Sequence, residues 1–184
     1  MTQILDTRAS LDQVTIGINY RTAPIHEFER SITEDVLRSY LAFGWTSRLI
    51  QKLRDEYGLT YWVNGVLQNF SDTGWMRFEL SAEKKNVTKA LQLVNEEIAK
   101  ITAGNIDIQA LETTKKMMTT SLTRHYADIS NRLYFYGWPF VFEIEPLSLP
   151  EYFSRIRSIE KEHLVTEAQK IFSTTPTIAM IGNM

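Results

Sequence analysis

Between residues 75 and 104 the apolar period of the chain switches from two to nearly four. Met76, Phe78 and Leu80 share one side of an extended segment whose other side carries Arg77 and Glu79. Val87, Ala90, Leu91, Val94, Ile98 and Ile101 then recur at helical spacing until Gly104. The first pattern specifies a half-buried strand and the second an amphipathic helix, so the fold must lay helices on a sheet that has one apolar face. Val14, Ile16 and Ile18 alternate with Thr15, Gly17 and Asn19 and predict a further strand over 13–20.

Turn and cap signals order the remaining elements. Thr22-Ala23-Pro24 breaks the first strand, and Ser31 with Glu34 reads as a capping box for a helix with Ile32, Val36, Leu37, Tyr40 and Leu41 on its apolar face. Thr46 reads as the cap of a second helix that places Leu49, Ile50, Leu53 and Tyr57 together and stops at Gly58. A hairpin follows, with its first strand over 59–68 and its connection over 69–74. Asp107 reads as the cap of a long helix running toward residue 135, with Leu111, Met118, Leu122, Ile129 and Leu133 inward. Short helices over 150–157 and 160–172 and a strand over 177–181 complete the order β-α-α-β-β-α-α-α-α-β. The expected fold class is α+β: a mainly antiparallel four-stranded sheet with helices on one face, forming one domain over residues 1–184.

Composition removes several function classes. Lys plus Arg number 20 against 22 Asp plus Glu, a formal charge of −2, which offers no electrostatic footprint for nucleic acid or an anionic membrane. No stretch approaches the ~20 apolar residues of a membrane span. Cysteine is absent, so disulfides, thiolate metal sites and a cysteine nucleophile are excluded, while the compartment stays open. His26, His125 and His163 satisfy neither H-x-x-E-H nor H-E-x-x-H. No catalytic zinc site is expected in this chain, and these histidines read as surface or helix-face residues. The aromatic run from Tyr134 to Phe140 reads as core and lid packing, and Lys84-Lys85 and Lys115-Lys116 read as solvated helix positions.

Residues 43–61 carry the functional signal. They read as a short helix, a glycine stop and a strand, with Arg54 in the last helical turn and Tyr61 early in the strand. Taken alone, Arg54 suits the helix dipole and Tyr61 suits strand packing. The run S-R-L-x-x-x-L-R-x-x-x-G-L-x-Y, however, resembles the C-terminal, non-catalytic half of the insulinase/pitrilysin-type zinc peptidases, which include the mitochondrial processing peptidases. The match extends over Ser47, Arg48, Leu49, Leu53, Gly58 and Leu59 and over the element order of nearly the whole chain. Trp45, where a small residue is common, and Tyr57, where a basic one is frequent, depart from the pattern.

That resemblance implies a clamshell of two halves of similar fold, the first bearing H-x-x-E-H and zinc. The second would contribute substrate-binding residues, here Arg54 and Tyr61, and neither catalytic nor metal-binding residues of its own. The implied partners are an N-terminal catalytic half or a separate catalytic subunit, and a peptide substrate. The chain alone is expected to be inactive. A peptide-binding or structural assembly subunit that kept the fold without catalysis is the alternative, and an unrelated α+β enzyme would require the motif match to be accidental.

Overall fold

The structure is a computed structural model and describes residues 2–7 and 11–182. Its sheet has five strands in the order β1-β5-β2-β4-β3: β1 Thr2–Thr7, β2 Val14–Thr22, β3 Val63–Asn69, β4 Gly74–Ala82 and β5 Thr177–Gly182. β1 runs parallel to β5 and every other pairing is antiparallel. The expectation of four strands is therefore corrected to five. β1 escaped the sequence reading because its apolar residues, Ile4 and Leu5, are adjacent rather than alternating and stand 58% and 56% exposed. An edge strand that buries neither face has no period to read.

Register confirms the alternation elsewhere. Ile16 opposes Leu80, Ile18 opposes Phe78 and Tyr20 opposes Met76, and all six are buried. These positions face the helices, while Thr15 and Arg21 point to the opposite, polar side of the sheet. Against the apolar face pack α1 (Phe28–Ala42), α3 (Val87–Thr102) and α7 (Lys161–Phe172) through Val36, Leu37, Leu93, Val94, Leu164 and Ala168. Gly65 lets α1 lie close on β3, since a Cβ there would sit 2.9 Å from Ala42 Cβ and 3.0 Å from Arg38 Cγ.

Other expectations need correction. α1 begins at Phe28, so Ser31 and Glu34 form no capping box; Glu34 is fully buried and accepts the Ala23 N–H at 2.8 Å. The helix expected over 107–135 is two helices, α4 (Ile108–His125) and α5 (Ile129–Val141). Asp107 caps α4 as read, by accepting from Ala110 N, but Asp128 restarts the helix by accepting the Ser130 and Asn131 N–H groups. Ile129 and Leu133 are each 74% exposed, and α5 adds no residue to the buried core. Its aromatic run packs ring on ring instead, as in the stacked Tyr134–Trp138 pair. Lys115 is buried rather than solvated, with Nζ donating to Glu112 at 2.7 Å and to the Arg157 carbonyl at 3.3 Å. α6 (Leu149–Ser158) closes the helical layer with a capping box between Ser148 and Glu151.

Candidate functional site

Residues 44–63 form a corner built by buried apolar anchors. Ser47 precedes α2 (Arg48–Ile50), which widens at once into a π-helical turn over Gln51–Glu56. Ser47, not Thr46, holds the N-cap position, and its Oγ donates to the Gly44 carbonyl at 2.9 Å. Leu49, Ile50 and Leu53 are at most 4% exposed and fix the turn in the core. Gly58 then takes a left-handed φ of 61°, its N–H donating to Arg54 O and the Leu59 N–H donating to Leu53 O. π-helical turns are rare and concentrate at functional sites.

The exit from the corner is anchored as well. Thr60 is buried and its Oγ1 donates to the Trp62 carbonyl at 2.8 Å. With Thr60 turned in, Tyr61 stands out at 72% exposure. Tyr61 lies two residues before β3 rather than within the strand, a correction to the sequence reading.

These constraints bring Arg54 and Tyr61 together. The Arg54 guanidinium carbon lies 5.3 Å from the Tyr61 ring centroid and 4.6 Å from that of Trp45. Two ring faces hold the cation by quadrupole attraction, each worth ~0.5–1 kcal/mol at an exposed site. Among the described residues the guanidinium makes no ion pair and no hydrogen bond. Its N–H donors are therefore positioned but unused, beside an exposed phenol that is itself a donor.

The rest of the motif is structural. Arg48 lies 3.5 Å from Glu97, which is 2% exposed and also receives Lys100 at 2.6 Å. Trp45, a departure from the family pattern, is the partner that the sequence reading missed. Nothing in the spacing of a tryptophan nine residues before an arginine announces the contact, because it depends on the turn at Gly44 and the widened helix.

The histidines lie apart. His163 accepts the Glu160 N–H through Nδ1, and His125 Nδ1 lies 2.8 Å from the Ser121 carbonyl. Among the described residues no group of three or more His, Cys, Asp or Glu side chains is placed to hold a metal ion. No helix there is long and apolar enough to cross a membrane.

The fold is an α+β domain: a mostly antiparallel five-stranded sheet with helices packed on one face, and a corner that sets Arg54 against Trp45 and Tyr61. The family model described as "Peptidase M16 inactive domain" matches residues 3–118, and the chain belongs to that family. An uncharacterized zinc protease of Rickettsia felis is 23% identical over 94% of this chain, and one of Rickettsia bellii is 24% identical over the same share. The chain spans 42% of each, less than half their length. Among solved structures, a conserved protein from Enterococcus faecalis superposes with a TM-score of 0.88 at 17% identity over 100% of this chain and 42% of its own. A peptidase M16 inactive domain from Pseudomonas fluorescens gives 0.83 at 19% identity, covering 100% of this chain and 44% of that one. At these identities the structural likenesses carry the fold alone.

Proposed function

We propose that this chain, acting as one domain, is the substrate-binding half of a zinc-dependent peptidase and completes an active site whose metal, base and attacking water belong to an H-x-x-E-H-bearing half. The observation that carries this reading is the Arg54 guanidinium, held against two rings with its donors unspent next to the exposed Tyr61 hydroxyl. In this role Tyr61 donates toward the substrate carbonyl as negative charge develops on its oxygen. Arg54 grips a neighbouring backbone carbonyl of the peptide and keeps the scissile bond in register. Donors preorganised toward developing charge in a closed site are commonly worth 10²–10³ in turnover, or ~3–4 kcal/mol. The restraint by Trp45 and Tyr61 lowers the entropy lost when Arg54 engages the peptide.

Mixing this chain with an H-x-x-E-H-bearing half tests the reading. Peptide cleavage should require both components, and Tyr61→Phe should lower kcat by about 10²-fold with unchanged thermal stability. Cleavage by the zinc-bearing half alone at the full rate would instead leave this chain a peptide-binding or assembly subunit.

A further inference from the structure

At the far end of β3 from Tyr61 lies a half-open cleft of about 470 Å³ between α1, the last residues of β3, and α5. Its lining is mainly apolar and includes Phe28, Phe135, Trp138, Tyr152 and Leu67, with polar groups such as Ser31, Asp35 and Asn131 among it. The rings brace one another, with Phe135 5.6 Å from Tyr152 and Tyr152 6.5 Å from Phe28. The Ser31 Oγ is shielded from solvent and has no hydrogen-bond partner among the described residues. A cleft of this volume, apolar with a few polar groups, has the character of a ligand site rather than a packing flaw.

The adjoining strand indicates what the ligand is. β3 is the outer strand of the sheet. At the hairpin end the Phe70 N–H donates to Thr73 O, and Asn69 is aligned with Gly74. Antiparallel alternation then turns the backbone groups of Val63, Gly65 and Leu67 away from β4, toward the open edge. Arg38 Nη1 already meets the Gly65 carbonyl there at 3.1 Å. The Leu67 amide and carbonyl are left facing outward beside the cleft that Leu67 also lines. Outward backbone groups next to an apolar pocket are the elements with which a sheet edge captures an extended peptide: the edge binds the main chain and the pocket takes side chains.

We infer that the cleft binds a stretch of two or three apolar, aromatic-rich residues of an extended peptide, anchored at Leu67. This rests on the reading of the chain as a peptide-handling domain. Tyr61 and Leu67 are six residues apart, about 20 Å at ~3.3 Å per residue. A substrate that reaches both sites in extended form therefore spans up to about six residues between the bond being cut and the cleft, and the cleft selects for large apolar side chains at that distance.

The test is photo-crosslinking of the full chain with acetylated decapeptides of Ser and Gln, carrying p-benzoylphenylalanine followed by Leu near one end or the other. Mass spectrometry should map the label to residues 28–35 or 135–138. Excess peptide with a Phe-Leu pair should compete, whereas its Ser-Ser counterpart should not. Labelling should fall about tenfold in Ser31→Leu, which fills the cleft, and in Phe135→Ala/Trp138→Ala, which removes its wall. It should persist in Arg54→Ala/Tyr61→Phe. Label mapping elsewhere, to a second copy of the chain, or nowhere would overturn the inference, as would labelling insensitive to both cleft variants. Labelling lost only with Arg54 and Tyr61 would remove the cleft and leave the corner. Labelling at the cleft with turnover indifferent to Arg54 and Tyr61 would do the reverse.

Discussion

Among the described residues, Arg54 is held by ring faces and not by a carboxylate. Its restraint comes from Trp45 and Tyr61, whose ring centroids lie 4.6 and 5.3 Å from the guanidinium carbon. Losing one ring should loosen the cation without removing it. Trp45→Ala is therefore expected to lower kcat/KM of the assembled peptidase about two- to fivefold, the equivalent of one exposed cation–π contact, and less than Arg54→Ala does. An effect equal to that of Arg54→Ala would show that Trp45 touches the substrate itself. At a second residue, Glu34, burial is the largest influence and pushes the carboxyl from 4.5 up to about 7, opposed by the Ala23 N–H. Glu167 adds to the rise, while Arg30, 3.8 Å away, and Asn69 oppose it. A carboxyl whose pKa is higher in the folded chain than in the unfolded one favours folding while protonated. Its contribution is complete below about 4.5 and is lost as pH rises through about 7. Glu34→Gln keeps an acceptor for Ala23 and should flatten this dependence, measured by denaturant titration between pH 4 and 8. A slope equal to that of the wild type would assign the dependence to another group.

At the scale of elements, two glycines act for different physical reasons, Gly58 in the corner and Gly65 in β3 beyond it. Gly58 has open space around it but a φ of 61°, so Gly58→Ala costs conformational strain of ~1 kcal/mol. Gly65 has an ordinary backbone but no room under α1, so Gly65→Ala costs repacking of ~1–3 kcal/mol. Both should appear as lower unfolding midpoints, about 2–4 °C per kcal/mol for a chain of this length. Only Gly58→Ala should also displace Arg54 and reduce peptide binding. The elements also show what could be read from the chain beforehand. β2, β4 and α3 were plain, because each buries one face and writes its period into the sequence. β1 and α5 were obscure for the opposite reason: neither buries a face of its own, and apolar residues such as Leu5 and Leu133 stay in solvent. Glu34 misled because S-x-x-E describes a cap only where the helix starts at that serine, and here the carboxylate is drawn inward to satisfy Ala23. For the site, Arg54 and Tyr61 were read from their motif, whereas Trp45 needed the three-dimensional turn.

For the whole molecule, the two candidate sites sit at opposite ends of one edge strand of the sheet. Helices seal one face around a continuous apolar core, and the corner lies at the start of the outer strand β3 while the aromatic cleft lies at its end. The chain spans 42% of each of its Rickettsia relatives, so a second body of similar size can be set against it. On the proposed reading, that second body supplies the metal chemistry, while this chain supplies the donors and a track for the peptide. The most direct test is a single-turnover measurement on the complete two-half peptidase carrying Arg54→Ala/Tyr61→Phe, with the thermal midpoint measured in parallel. The account predicts at least a 10²-fold slower cleavage step at an unchanged midpoint. Wild-type cleavage rates in that double variant would contradict it.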